Sequence, residues 1–169
     1  ITLPKFILKL KFISKAKPMS LEKIITEVEQ NLEHHQKINT TVSSKNIAWQ
    51  LDHILKVIII TCKAVSKSDP VDYKWKFNKI KSAIFLSGKI PRGVAQAPKV
   101  VIPEEGVTLE DIEKHILEAK VQIAALENLP KKANFKQPYF GFLDLKESKR
   151  FLEIHSYHHL KIIKDIVRK

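Results

Sequence analysis

The stretch that most constrains the fold lies near the C-terminus, where apolar residues and histidines repeat with the period of a helix. The repeat advances by three or four residues, so its members share one face of a single helix and turn inward. Two imidazoles one turn apart are unusual in such a row, because each brings a donor and an acceptor that burial must satisfy. A shared metal ion is the natural partner for histidines spaced in this way. The row comprises Leu145, Ser148, Leu152, His155, His159, Ile162 and Ile166.

A second predicted helix begins after a serine cap at Ser43 or Ser44 and runs to about residue 65. It is apolar nearly all round, which predicts the most buried helix of the protein. Asn46, Gln50 and His53 follow one another at helical spacing along a stripe beside the main apolar face. We therefore predict His53 as the third metal ligand, with Asn46 and Gln50 as a polar lining. The alternative is a buried histidine that hydrogen-bonds a neighbouring helix.

Length and composition favour one helical domain. The 169 residues are 44% hydrophobic and include only 4 glycines and 1 cysteine, Cys62, so neither an internal disulfide nor a thiolate cluster is available. The formal charge is +12, but it rests on lysines spread along the whole chain. Readers of bases and phosphates depend on arginine, which is scarce here, so we do not predict nucleic-acid binding. No apolar run approaches the roughly 20 residues of a membrane span.

The remaining segments complete a two-part organisation. Residues 1–17 alternate apolar and lysine residues at helical spacing, and we predict a basic amphipathic segment that either docks on the bundle or lies on a membrane surface. Residues 18–169 form the helical domain. A helix is predicted within residues 75–86, a long irregular crossover at 88–107 and an aromatic-rich loop at 131–143. Thr108 should cap one helix, and Asp144 with Glu147 should start the last one.

Three parts of the chain resemble a bacterial family of unknown function within the DinB-like (YfiT-like) superfamily. The matching parts are SSKNIAWQLDHILKV, IPRGVAQAPKVVIP and QPYFGFLDLKESKRFLEIHSYHHLKII, in that order, and the likeness covers about residues 40–167. It implies an all-α four-helix bundle in the up-down-down-up arrangement with one long crossover. It also implies one divalent metal, zinc or nickel, on three histidines, which fall on His53, His155 and His159. His158 matches the family's double histidine, whereas Tyr157 stands where the family often has Asp.

The resemblance extends to candidate chemistry, since some members of the superfamily are similar to thiol S-transferases that use bacillithiol or mycothiol. Three neutral imidazoles leave coordination positions open to a ligand. Ser156 stands where a zinc protease has its glutamate base, so activation of a small thiol is favoured over hydrolysis. We also predict Tyr157 and Gln50 as hydrogen-bonding groups near the ligands, and His158 as either a neighbour of the ligands or a surface residue. The competing hypothesis is a non-catalytic bundle without a physiological metal.

Candidate partners are a small thiol, a membrane surface contacted by residues 1–17, and a second copy of the chain. The single cysteine favours a reducing compartment. We expect a cytoplasmic protein, or a membrane-associated one if an anchor upstream of Ile1 has been removed.

Overall fold

The computed structural model describes residues 19–93 and 97–168, so the predicted amphipathic segment at 1–17 lies outside the described residues. The described part is mostly helical and carries one small antiparallel sheet. Its elements in chain order are α1 (Leu21–Gln30), α2 (Ile47–Ser66), α3 (Lys79–Ser87), α4 (Leu109–Ala125), β1 (Asn134–Gln137), β2 (Gly141–Asp144) and α5 (Leu145–Arg168).

Helix α2 forms the centre of the core, as its apolar composition predicts. Its residues at 47, 51, 54, 55 and 58 are fully buried. The predicted serine cap is wrong, because Asn46 occupies the N-cap and its side chain accepts a hydrogen bond from the Trp49 N–H at 3.0 Å. Asparagine and serine cap helices equally well, so composition does not separate the two positions. Ser43 instead accepts a hydrogen bond from the Gln50 amide, at 3.2 Å.

The segment 131–143, predicted as a loop, contains most of a β-hairpin, so the mostly helical fold includes one small two-stranded sheet. Strand β1 pairs antiparallel with β2 from Asn134 opposite Asp144 to Gln137 opposite Gly141. The Gln137 side chain closes the turn by accepting hydrogen bonds from the N–H groups of Tyr139 and Phe140. Gly141 has a φ of 75°, which a residue with a side chain adopts only at a cost.

The connection between α3 and α4 is long, as predicted, and its described residues are irregular apart from a 3₁₀ turn at Lys99–Val101. Val101 is buried and packs in the main core beside α2. Helix α4 begins at the predicted cap, where Thr108 and Asp111 form a reciprocal capping box. Asp144 and Glu147 likewise exchange hydrogen bonds at the start of α5. Through Val101, the connection between α3 and α4 therefore supplies core contacts as well as linking the two helices.

Four helices, α1, α2, α4 and α5, supply most of the buried apolar side chains. Helix α2 contacts both α4 and α5, and α1 contacts the same two helices. The shared interior is aliphatic, with fully buried residues such as Ile24, Leu51, Ile112 and Leu152. Within residues 19–93 and 97–168, no helix combines the length and the apolar character that crossing a bilayer requires. Helices α2 and α5 together position the three predicted ligands.

Candidate metal centre

The three histidines predicted as ligands meet between α2 and α5. His53 comes from the middle of α2, while His155 and His159 occupy successive turns of α5. Their ring centroids are 4.6–5.1 Å apart, and one nitrogen from each ring lies within 4.8 Å of the other two. Ligand nitrogens on one tetrahedral zinc ion are about 3.4 Å apart, given bonds of about 2.0–2.1 Å. The predicted convergence of the three rings is confirmed, and their nitrogens lie close enough together to hold a metal ion.

Two of the three rings are oriented by oxygen acceptors. His53 Nδ1 lies 2.7 Å from the Val101 carbonyl, and His159 Nδ1 lies 2.7 Å from Gln50 Oε1. Neither oxygen can donate, so each Nδ1 carries the proton and each Nε2 keeps its lone pair. The Gln50 amide is itself oriented by its hydrogen bond to Ser43. Gln50 thus contacts a candidate ligand, as the sequence predicted.

The third ring, His155, has a buried nitrogen without a protein partner. Its Nδ1 is inaccessible to solvent and makes no hydrogen bond to any residue in the described ranges 19–93 and 97–168. An unsatisfied buried polar atom is costly, and a bound cation is the kind of partner that satisfies an imidazole nitrogen. Phe151 packs beside this ring, with centroids 5.7 Å apart, and Trp49 stacks on His53 at 4.9 Å. The donor nitrogens therefore sit within aromatic walls.

Burial keeps the cluster neutral. Desolvation lowers the pKa of His155 and His159 well below its usual value, and the neighbouring imidazoles lower it further. Burial also lowers the pKa of His53, against the opposing effect of its hydrogen bond to the Val101 carbonyl. Neutral imidazole is the form that binds metals. At neutral pH the three rings therefore present lone pairs rather than charge.

The other predicted polar residues take different positions. Asn46 caps α2, and none of its described hydrogen bonds reaches the histidines. Tyr157 is exposed on the outer side of α5. A step of two residues along a helix is a rotation of about 200°, so Tyr157 points away from both His155 and His159. Its prediction as a neighbour of the ligands is therefore wrong. His158 is half-buried, its ring is 5.0 Å from that of His159, and it hydrogen-bonds the backbone of Ile90. Burial lowers the pKa of His158 as well.

A second polar cluster beside the centre was not predicted. Asp52, only 1% exposed, faces α4, where its Oδ1 accepts a hydrogen bond from His115 Nδ1 at 2.6 Å. Its Oδ2 lies 3.3 Å from Lys56 Nζ on the next turn of α2. The available signal was a carboxylate within an otherwise apolar helix, since a buried charge requires a partner.

Comparison with known proteins adds no assignment. No family model matches the chain, and no match is found among curated proteins or solved structures.

Proposed function

We propose that this protein binds one divalent metal ion through His53, His155 and His159. The observation that carries the proposal is the convergence of three imidazole nitrogens from two helices within 4.8 Å of one another. Imidazole ligands suit zinc and nickel, the two ions that we favour. The unpartnered nitrogen of His155 supports the assignment, because a hydrogen-bonded core histidine would leave no such atom.

The surroundings of the rings support the same proposal. Metal-bound histidines usually donate their second N–H to a carbonyl or carboxylate oxygen, which fixes the tautomer and the ring plane. His53 and His159 make this kind of contact with Val101 and Gln50. Among the described residues, no carboxylate hydrogen-bonds any of the three rings. A divalent ion held by these neutral donors would keep its full positive charge and favour an anionic ligand at an open position.

We further propose that the ligand is a small thiol and that the protein is a thiol or group transferase of the DinB-like type. A divalent metal would favour the thiolate form of a bound thiol. The packing of α1, α2, α4 and α5 with a long crossover before α4 is compatible with the proposed up-down-down-up four-helix bundle. Aromatic walls from Trp49 and Phe151 would limit the access of water to the site.

Metal content is the direct test of the proposal. Untagged protein should contain, or take up after dialysis against zinc or nickel, one ion per chain by elemental analysis. His155→Ala should lose this ion while keeping a helical circular dichroism spectrum. His34→Ala, which removes an imidazole outside the centre, should retain it. Folded wild-type protein that binds neither metal would support the competing non-catalytic bundle.

The contact between Gln50 and His159 gives a graded prediction. Gln50→Leu removes the acceptor of the His159 Nδ1–H, and metal affinity should fall about 10–100-fold with unchanged stoichiometry. Gln50→Glu keeps an oxygen at this position and should bind at least as tightly as wild type. Competition with a chromophoric chelator measures both variants. Equal affinities for the leucine and glutamate variants would contradict an orienting role for Gln50.

A further inference from the structure

The segment that leads from α2 into α3 carries large apolar side chains that the described part of the fold leaves exposed. Trp75 is 67% exposed and Phe77 is 61% exposed, and the neighbouring Val71 and Ile80 are exposed as well. Lysines alternate with them in the sequence VDYKWKFNKI. We call this surface the 71–80 patch, and define it by Val71, Trp75, Phe77 and Ile80 together with the exposed lysines Lys74, Lys76 and Lys79.

Two hydrogen bonds and an ion pair connect the segment that carries the 71–80 patch to the rest of the fold. Before the patch, the Asn134 side chain donates a hydrogen bond to the Asp69 carbonyl at 3.2 Å. Within it, the Asn78 amide donates to the Tyr139 carbonyl at 2.9 Å. After it, the buried Lys81 pairs with Glu147 of α5 at 2.7 Å. Two aromatic rings are thereby presented to solvent on an anchored segment, which lowers the entropy cost of binding through them.

Charge indicates the kind of partner. The patch carries three exposed lysines among its apolar side chains, and the one acidic residue in positions 71–80 is the exposed Asp72. Two copies of this surface would bring lysines against lysines, so a symmetric dimer through it is disfavoured. Single-stranded nucleic acid would use the aromatic rings but gains little from exposed valine and isoleucine. Tryptophan and phenylalanine beside lysine are the combination that favours the interface of an anionic bilayer.

We propose that the 71–80 patch docks on an anionic lipid surface. Trp75 and Phe77 enter the interfacial region, and Lys74, Lys76 and Lys79 lie at the level of the phosphate groups. The inference does not depend on metal binding. It also differs from the prediction for residues 1–17, because it rests on a surface formed by the described fold.

Vesicle binding by the full chain tests this proposal. The protein should co-sediment with vesicles of phosphatidylcholine that contain phosphatidylserine. It should co-sediment far less with vesicles of pure phosphatidylcholine. Lys74→Gln/Lys76→Gln should weaken partitioning about 25-fold, given a contribution of about fivefold for each lysine near an anionic surface. Trp75→Ser/Phe77→Ser should weaken it about tenfold or more. Leu117→Ser/Val121→Ser on α4 removes similarly exposed apolar residues elsewhere and should leave partitioning unchanged.

Tryptophan fluorescence separates this surface from residues 1–17. Brominated lipid should quench the emission that Trp75 contributes, which is the difference between wild type and Trp75→Phe, while half-buried Trp49 provides the constant background. Binding without such quenching would overturn the proposal, as would equal partitioning of the Trp75→Ser/Phe77→Ser variant and wild type. Loss of oligonucleotide binding rather than vesicle binding in that variant would assign the patch to nucleic acid and overturn it too.

Discussion

Replacing His115 with leucine is expected to lower the free energy of unfolding by about 3 kcal/mol, because a buried charge loses its best partner. Asp52 is 1% exposed, and among the described residues its Oδ1 accepts a single side-chain hydrogen bond, from His115 Nδ1 at 2.6 Å. In the variant the carboxylate would keep Lys56 alone, on the side of Oδ2. Urea denaturation followed by circular dichroism measures the change.

Removing the buried charge itself is the matched control. Asp52→Leu/His115→Leu should be more stable than His115→Leu alone, since no unpaired carboxylate remains and Lys56, which is partly exposed, can reach water. A double variant no more stable than the single one would show that His115 acts through packing rather than through its hydrogen bond. Metal binding should survive in both variants, because Asp52 faces α4, where His115 lies, rather than the histidine cluster.

Acid is expected to destabilise the metal-free protein steeply below about pH 6.5. Burial places the folded-state pKa of His53, His155 and His159 below the ordinary value of 6.5 that the unfolded chain retains. As the pH falls past 6.5, the unfolded chain takes up protons that the folded protein excludes. Stability is therefore fully present above 6.5 and is lost as the pH falls toward the folded-state pKa values. His155 and His159, whose folded-state pKa lies well below 6.5, each contribute a slope of up to about 1.4 kcal/mol per pH unit.

His155→Leu isolates one of these contributions. In chelator-treated protein, the slope of unfolding free energy against pH between 6.5 and 5 should fall by about 1.4 kcal/mol per pH unit relative to wild type. Leucine fills a similar apolar volume, so the variant should remain folded at neutral pH. Identical slopes in the two proteins would mean that His155 is not held neutral in the folded state. Urea midpoints at several pH values provide the measurement.

Local patterns predicted much of this structure. The inward row of α5, the apolar stripe of α2 and the caps at Thr108 and Asp144 depend on residues within one or two turns of each other. The helical period also predicted that His155 and His159 share a face, and a buried polar stripe pointed to His53. These are features whose physical cause is contained in a short window of sequence.

The parts that were missed depend on distant partners. The hairpin is closed by the Gln137 side chain and packed by residues such as Phe140 and Leu143, and its segment reads equally well as an aromatic loop. The hydrogen bond from His115 to Asp52 joins two helices through residues that are 63 positions apart in the sequence. The acceptor of His53 is a main-chain oxygen. Every residue has one, so the sequence does not indicate which of them would accept this hydrogen bond.

Because the acceptor of His53 belongs to the main chain and that of His159 to a side chain, the two imidazoles differ in how easily a mutation can change their hydrogen bonds. Side-chain replacement at position 101 leaves the carbonyl that receives the His53 proton in place, so the plane of this ring is protected against substitution there. His159 depends on an amide that a single codon change can remove or convert to a carboxylate. Substitution of residue 50, in evolution or by design, can therefore change how strongly His159 donates electrons to a metal. The hydrogen bond of His53 does not change in this way.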